Sequence, residues 1–483
     1  GMAYAAIADL PIYYGIICSS LAAIVAPIFS SSRHTILGPT NATSFMVFSF
    51  FAASSTTLAK QPEAYMPLLV MMVGLMSVIG ALFKIADLLQ YVSRSVLIGY
   101  ITGAALLILT NQFKHLLGIA EPMSQGESAN TFFTIVEKMA NLWESYQWQP
   151  VLLGAATLIL YLTLQKKIPA LPTFAISLTI SALVGWMLRM WVDSYALLQT
   201  FDAFQLDTLT PSLPDFNWND VSALLGVSFA IAFLASLENT VMSKSLASRS
   251  GSRSDVNQDM LSVGMANIAT SLVAAMPASG SLTRSALKYE SHSKSRVSSM
   301  FCGLLCLLGF YALVKLPIVE NIPTASLAAL VIGIAISLIN WKNIRICLRS
   351  TPDDALVIIT TFAATLLTRL DYAIFIGVGL SITLFLRKAS KPHLVEYEMS
   401  DQGDLRELGK KGQRQIPAIS IVHVEGDLFF GAADLFRTQV QRTIADENLK
   451  VIILRLKNAR HLDATSVLAL DDLIKDTRKK GVH

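Results

Sequence analysis

Residues 277–290 read PASGSLTRSALKYE and directly follow the apolar run ANIATSLVAAM at 266–276. A proline, a glycine, several hydroxyl groups and the guanidinium of Arg284 therefore come immediately after a hydrophobic segment. A charge at the centre of a bilayer costs at least about 2.5–3.5 kcal/mol, so a buried Arg284 is a functional hypothesis. The alternative is a cytoplasmic loop arginine that follows the positive-inside rule, as Lys288 and Lys294 nearby are interpreted to do.

The composition predicts a membrane protein. Hydrophobic residues make up 53% of the 483 residues and charged residues 15%, whereas soluble domains carry about 25% charged residues. Crossing the hydrocarbon core takes about 20 mostly apolar residues, and roughly a dozen such runs recur. They lie at 66–83, 96–113, 151–164, 175–192, 221–237, 297–314, 324–339, 355–367 and 372–386, with shorter ones at 13–30, 41–59 and 259–276. We expect a polytopic α-helical membrane protein.

Other classes find little support in the sequence. The cysteines lie in or beside apolar runs, where cysteine packs as a small hydrophobe, and no neighbouring ligands indicate a metal site. The net charge of +4 does not indicate nucleic-acid binding, because the basic residues lie in short membrane loops. No catalytic constellation or cofactor motif stands out, so we expect neither an enzyme nor a cofactor. The cysteines are Cys18, Cys302, Cys306 and Cys347.

The charges of the loops predict the orientation. Basic residues mark alternate connections, whereas the loop near 193–220 carries five aspartates and no lysine or arginine. The positive-inside rule places the basic set in the cytoplasm, together with everything after Arg387, Lys388 and Lys391. We expect a multi-pass protein of a bacterial inner membrane, in contact with lipid. The basic set is Arg33, Lys84, Arg94, Lys166, Lys167, Arg249, Arg253, Lys294, Arg296, Lys342, Arg345 and Arg349.

The last part of the chain has the hydropathy of a soluble protein. ISIVHVEG at 419–426 and KVIILRL at 450–456 predict strands, and 431–447 and 469–481 predict helices. Their alternation indicates a small α/β domain. We therefore divide the chain into a membrane domain at 1–389, whose first helix we expect to be truncated, and a domain at 390–483, which we expect to be incomplete at its C-terminus.

Three polar interruptions occur in membrane segments: GPTNATSF at 38–45, Glu238 within AFLASLENTVMS, and PASGSLTRSALKYE at 277–290. Irregular backbone inside a bilayer is tolerated where protein or a water-filled cavity surrounds it. Transporters use broken helices whose N-termini present positive dipole ends to an anion, and both Gly-Pro and Pro-Ala-Ser-Gly are suitable starts. A simple helix kink at Gly38-Pro39 and a cytoplasmic-boundary position for Glu238, near Lys244, remain the alternatives.

These segments resemble the SulP family of sulfate permeases and related anion transporters over nearly the whole chain. MAYAAIADLPIYYG at 2–15, GPTNATS at 38–44 and LENTVMSKSLA at 237–247 are similar to family segments. The most specific match is DVNQDMLSVGMANIATSLVAAMPASGSLTRSALKY at 255–289, and the tail resembles a STAS domain. The resemblance implies two inverted seven-helix repeats that form core and gate subdomains of a homodimer, followed by a small cytoplasmic α/β STAS domain.

The resemblance also implies an anion site between two half-helices, with Glu238 at a position associated with coupling to a cation. Ser279, Leu282 and Asn41 depart from the commoner family residues, which bears on substrate choice. Thr465 lies where related regulatory proteins carry a phosphosite, although a structural turn is the other interpretation. The expected substrate-binding residues are Tyr4, Ala5, Thr40, Asn41, Ala42, Ser281, Leu282, Thr283 and Arg284.

The expected function is secondary active transport of a small inorganic anion, most of all sulfate, by elevator-type alternating access with H⁺ or Na⁺ coupling. A bicarbonate or dicarboxylate transporter, and an uncoupled anion channel or exchanger, remain alternatives. The STAS domain is expected to bind regulatory proteins.

Overall fold

The computed structural model describes residues 1–53, 61–119, 132–141, 146–168, 173–192, 200, 211–273, 275–315, 321–390, 393–399, 405–408, 416–428, 430–444, 446, 448–460 and 462–483. The chain forms two compact units, Gly1–Gly379 and Leu380–His483. Most of the acidic loop used above to assign orientation, 193–199 and 201–210, lies outside the described residues.

The first unit is helical, with two very short strands. Its first half comprises α1 (Met2–Ile7), α2 (Ile12–Phe29), β1 (Leu37–Gly38), α3 (Asn41–Ala53), α4 (Pro62–Leu82), α5 (Ala86–Leu89), α6 (Arg94–Leu116), α7 (Phe132–Asn141), α8 (Trp148–Lys167) and α9 (Thr173–Trp191). Its second half comprises α10 (Trp218–Ser250), α11 (Val256–Ser271), β2 (Ser279–Gly280), α12 (Leu282–Glu290), α13 (Val297–Lys315), α14 (Thr324–Leu338), α15 (Trp341–Ser350), α16 (Pro352–Leu367) and α17 (Leu370–Ala389), which continues into the second unit.

The helices fall where the apolar runs predict them. Within the described ranges, nine helical spans are long and apolar enough to cross a membrane, by length and composition, and one of them comprises α14 and α15 together. The 33-residue α10 extends well beyond its predicted run at 221–237. At 1.5 Å per residue such a helix is about 50 Å long, more than the roughly 30 Å of a hydrocarbon core. Glu238 therefore lies inside a continuous helix and not at its end.

Two groups of helices pack mainly among themselves. In one group, α11 packs against α4 and α2, α13 packs against α2, and α10 packs against α4. In the other, α6 packs against α14 and α16, and α8 packs against α14 and α9. Glycines permit close packing of α4 against α11. A Cβ on Gly74 would lie 2.9 Å from the Gly264 carbonyl oxygen, and a Cβ on Gly264 would lie 2.9 Å from the Gly74 carbonyl oxygen. Such close backbone contact is typical of helices that pack in lipid.

The second unit contains the predicted α/β domain. Its elements are β3 (His393–Met399), β4 (Leu405–Glu407), β5 (Ile419–Asp427), α18 (Phe430–Ile444), β6 (Val451–Arg460) and α19 (Ala464–Lys479). The sheet order is β4-β3-β5-β6, with β5 and β6 parallel and the other pairs antiparallel. Val424, Phe436, Val440 and Leu473 are at the centre of its apolar core. The sequence predicted β5, α18, β6 and α19, but not the hairpin of β3 and β4.

Candidate functional site

Two buried extended segments, β1 and β2, meet inside the first unit, and their meeting point is referred to below as the crossing. In β1 and β2, Leu37 pairs with Gly280 and Gly38 pairs with Ser279 in antiparallel register. The pairing continues because the Ser281 N–H donates to the Ile36 carbonyl oxygen at 3.2 Å. Each strand is followed within three residues by a helix, so the N-termini of α3 and α12 both start at this crossing. The hydrogen bonds between the strands satisfy backbone groups that lipid could not.

Threonine side chains cap the N-terminus of α3. Thr40 Oγ1 lies 3.0 Å from Thr43 Oγ1, and the Thr40 N–H donates to Thr43 Oγ1 at 3.3 Å. Pro39 cannot continue a helix backwards, so α3 begins where the sequence requires it. Asn41 is its first residue, and its Oδ1 is buried without a donor among the described residues. The start of α3 therefore presents both a positive dipole end and an amide oxygen without a donor among the described residues.

Arg284 lies in the first turn of α12 and reaches across the crossing. Ser281 caps the helix by accepting from the Arg284 N–H at 3.5 Å. Arg284 Nη2 donates to the Pro39 carbonyl oxygen at 2.7 Å, and its Cζ lies 6.0 Å from the centroid of the Tyr4 ring. Glycine at position 38 leaves the room for this, because a Cβ there would clash with the guanidinium. Within the described part of the chain, Arg284 Nε is buried without an acceptor and no carboxylate pairs with the guanidinium.

The crossing has two arms, β1 with the start of α3 and β2 with the start of α12. Glu238 of α10 connects these two arms. Its Oε2 accepts from Thr40 Oγ1 at 3.0 Å and from Ser279 Oγ at 2.6 Å. Thr40 precedes α3 and Ser279 belongs to β2, so a single carboxylate oxygen binds a hydroxyl from each arm. Hydrogen bonds to an ionised carboxylate are roughly twice as strong as neutral ones.

Two asparagines support the crossing from behind. Asn267 Nδ2 donates to the Ala278 carbonyl oxygen at 3.0 Å, and its Oδ1 accepts from the Ala278 N–H at 2.8 Å. Asn239 lies against Gly280, where a Cβ would come within 2.8 Å of the Asn239 Cα. Asn267 was among the family-like residues of the sequence, but neither asparagine was predicted to be part of the site.

The predicted site residues occupy one neighbourhood, with different exposures. Thr40, Ala42 and Ser281 are buried at the two helix starts, and Ala5 is buried in α1. Tyr4 is brought to the site through its contact with Arg284. Leu282 and Thr283 are exposed at the start of α12 and make no polar side-chain contact in the described structure. The described residues contain no group of three or more His, Cys, Asp or Glu side chains that could hold a metal ion.

The interpretation of Lys288 as a loop charge is wrong. Lys288 belongs to α12 and is 7% exposed. Its Nζ donates to the Arg33 carbonyl oxygen at 2.7 Å and to Ser299 Oγ. The spacing could have indicated this, since residues 284 and 288 lie one helical turn apart on the same face.

Comparison with known proteins identifies the family. A family model described as the sulfate permease family matches residues 1–361. The chain belongs to the sulfate permease family. A model of the STAS domain matches residues 412–483. Sulfate transporter 4.1 (chloroplastic) of Arabidopsis thaliana is 24% identical over 504 residues, covering 100% of this chain and 72% of the relative. Sulfate transporter 1.2 of the same plant is 22% identical over 506 residues, covering 99% of this chain and 76% of the relative.

Solved structures show the same fold. The murine anion transporter Slc26a9, in the inward-facing state, superposes with a TM-score of 0.85 at 20% identity, covering 100% of this chain and 82% of that one. The transmembrane domain of BicA, a cyanobacterial bicarbonate transporter, gives 0.66 at 18% identity, covering 78% and 92%. The prediction of a polytopic helical membrane domain, with a seven-plus-seven inverted repeat followed by a STAS domain, is confirmed.

Proposed function

We propose that this anion transporter of the sulfate permease family is a secondary active transporter whose substrate is sulfate. The observation that carries the proposal is the half-buried side chain of Arg284, whose buried Nε–H has no acceptor and whose guanidinium has no carboxylate counterion among the described residues. A buried donor without an acceptor is rare in proteins and needs an explanation. A bound oxyanion between the starts of α3 and α12 supplies both the missing acceptor and the missing charge.

The binding site combines several weak attractions. Two helix N-termini offer partial positive charges, and Arg284 offers a full one with donors in a planar fork. Asn41, Thr283 and Ser281 add polar groups, while Tyr4, Ala5, Ala42 and Leu282 shape the surroundings. A dianion held by dipoles and one guanidinium is stabilised without a second full counter-charge, so it can also leave.

We assign Glu238 the coupling role. Protonation of its carboxylate, or binding of Na⁺ beside it, offsets charge when the dianion enters. The group of helices that contains α4, α10 and α11 then moves as a body against the group that contains α6, α14 and α16. The family's homodimeric arrangement, the boundary at 389/390 between the membrane and STAS domains, and a cytoplasmic STAS domain of a bacterial inner-membrane protein belong to this proposal. The names of the relatives as transporters support it over an enzyme.

Replacement of Arg284 tests the substrate site. Purified protein in proteoliposomes is expected to lose labelled-sulfate uptake by at least tenfold in Arg284→Ala, with partial recovery in Arg284→Lys. Arg296→Ala is the matched control, because Arg296 also donates one hydrogen bond to a backbone oxygen, that of Ser31 at 3.0 Å. Unchanged uptake in Arg284→Ala, with the control also unchanged, would show that the site lies elsewhere.

Replacement of Glu238 tests the coupling. Glu238→Gln keeps an oxygen that can accept from Thr40 and Ser279 but cannot ionise. We expect it to abolish the dependence of net uptake on a pH or Na⁺ gradient while sulfate–sulfate exchange persists. Glu63→Gln, at the start of α4, is the control carboxylate. A gradient dependence retained in Glu238→Gln contradicts the assignment.

Bicarbonate is the second candidate substrate, since one structural neighbour carries that name. A competition panel of unlabelled sulfate, bicarbonate, dicarboxylate and chloride against labelled sulfate ranks the anions directly. Single-channel currents through reconstituted protein would instead identify an uncoupled channel.

A further inference from the structure

A cavity of about 410 Å³ lies at the far end of α12 from the crossing, lined by His34, Tyr289, Glu290, His292, Ser293 and Lys294. Small-molecule sites typically measure about 300–1,000 Å³, so the size is that of a binding site. His34 precedes β1 by three residues and Tyr289 lies in the last turn of α12, and their rings meet edge to face at 5.2 Å. The cavity therefore contacts both arms of the crossing without sharing a residue with the proposed sulfate site.

The electrostatics of the cavity favour an anion. Lys294 lines it, and Arg33 and Lys288 act on His34, where burial and then these two charges lower the pKa of the imidazole. Among the lining residues the carboxylate of Glu290 offsets the ammonium of Lys294, so the excess positive charge comes from Arg33 and Lys288 next to His34. A helix C-terminus normally repels anions.

Here, however, the terminal carbonyls of α12 are already hydrogen-bonded. The Leu287 carbonyl accepts from the Ser291 N–H at 2.9 Å. The Lys288 carbonyl accepts from the Ser293 N–H at 3.4 Å, and the Tyr289 carbonyl accepts from the His292 N–H at 3.0 Å. His292, with φ of 54°, makes the turn that allows these bonds. The negative end of the helix is therefore masked where the cavity begins.

The lining also offers unused acceptors. Among the described residues, Glu290 is exposed and makes no side-chain hydrogen bond, and His34 Nδ1 is buried without a hydrogen-bond partner. A carboxylate, or the bare nitrogen of a neutral imidazole, can accept from a partner that donates a proton. Sulfate has no proton at neutral pH, whereas hydrogen phosphate carries a P–OH group beside its negative oxygens.

We propose that this cavity is a second anion site, selective for hydrogen phosphate over sulfate. Lys294 and the imidazole of His292 donate to the phosphate oxygens, and the P–OH donates to Glu290 or to His34 Nδ1. Because the cavity joins the segment before β1 to the end of α12, its occupancy would act on both arms that hold the transported anion.

Calorimetric titration of the purified full chain in detergent with sodium phosphate tests this site. Excess sulfate is added first, to occupy any sulfate site. We expect phosphate binding to persist in sulfate and in Arg284→Gln, and to weaken at least tenfold in Lys294→Gln. Lys342→Gln removes another exposed lysine and is expected to bind like the wild type.

Glu290→Gln separates selectivity from simple structural damage. The amide keeps an oxygen that can accept from P–OH but removes the charge that repels sulfate, so sulfate should now displace phosphate at similar concentrations. Displacement of phosphate by equal sulfate in the wild type would overturn the proposal, as would loss of phosphate binding in Arg284→Gln but not in Lys294→Gln. Binding only to phosphatidylglycerol-containing vesicles, with none to inorganic phosphate, would also overturn it. None of these titrations depends on transport, so failure of the sulfate-transport proposal would appear separately.

Discussion

Gly280→Ala is expected to separate β2 from α10 and weaken the proposed anion site. A Cβ at this position would lie 2.8 Å from Asn239 Cα, 2.8 Å from Asn239 Oδ1 and 2.9 Å from Met242 Cε. Carbon atoms pack at about 3.5–4.0 Å, so the contact with Asn239 Cα is too close by about 0.7 Å. The Met242 side chain can rotate away, but the α10 backbone cannot. The strand and the helix must therefore move apart.

The expected cost follows from this displacement. Overpacking by a methyl group costs about 1–3 kcal/mol. The neighbouring hydrogen bond from Ser279 Oγ to Glu238 Oε2 is 2.6 Å long, and a shift of about 0.7 Å would take it beyond the 2.5–3.0 Å range of O–H···O bonds. If the whole cost falls on the bound state, sulfate affinity drops by a factor of roughly 5 to 150.

Equilibrium sulfate binding to purified protein measures this affinity, and thermal unfolding in detergent reports the cost to the fold. Gly226→Ala is the matched control, since Gly226 lies in α10 and a methyl group added there would have nothing within 4 Å among the described residues. A glycine in a helix is destabilising by roughly 0.5–1 kcal/mol relative to alanine, so the control should melt slightly higher and bind normally. Wild-type sulfate binding by Gly280→Ala would refute the argument that the contact of β2 with α10 sets the site.

Three further substitutions and one control variant test which contacts stabilise each unit. Asn267→Ala removes both hydrogen bonds to Ala278 and leaves a buried N–H and C=O unpaired, at about 1–3 kcal/mol each, so the protein should melt lower in thermal unfolding and bind sulfate more weakly. Asp371→Asn breaks the paired contacts with Arg369 at 3.1 and 2.9 Å, one partner being only 7% exposed, and should lower the melting temperature measurably. Its control, Asp471→Asn, breaks the exposed pair with Lys475 and should change the melting temperature little, because exposed pairs contribute about 0–1 kcal/mol. Phe436→Ala empties the core of the second unit at about 3–5 kcal/mol, so amide exchange should accelerate in β5 and α18 while the α6 and α11 amides stay protected.

The membrane helices could be predicted because a run of apolar residues along the sequence is enough to indicate each of them. A run such as 96–113 has to be helical once it is in lipid, because apart from a closed β-barrel only a helix pairs all of its backbone N–H and C=O groups there. The starts of α3 and α12 could also be placed, since Pro39 and Pro277 exclude a continuous helix and threonine or serine follows as a cap.

The contacts between the two arms could not be predicted in the same way. The register of β1 with β2 and the bond from Arg284 to the Pro39 carbonyl join residues about 245 positions apart, and no periodicity records such a pairing. The prediction for Lys288 was wrong for a related reason. A lysine near other basic residues resembles a loop charge until the fold brings the Arg33 carbonyl to its Nζ.

The bonding of Glu238 gives a physical reason for a carboxylate at this position. Its Oε2 accepts one hydroxyl from each arm, and Thr43 Oγ1 extends the chain behind Thr40. Both bonds strengthen when the oxygen is charged and weaken when it is neutral, because charge-assisted bonds are roughly twice as strong. A change of charge at one atom therefore loosens or tightens both arms together, around the place where two helix N-termini meet. An amide would bond to both arms with the same strength at every pH and could not link protonation to the proposed anion site. Arg284 is bound to Pro39 on the arm opposite its own helix, so loosening of that arm also reaches the guanidinium.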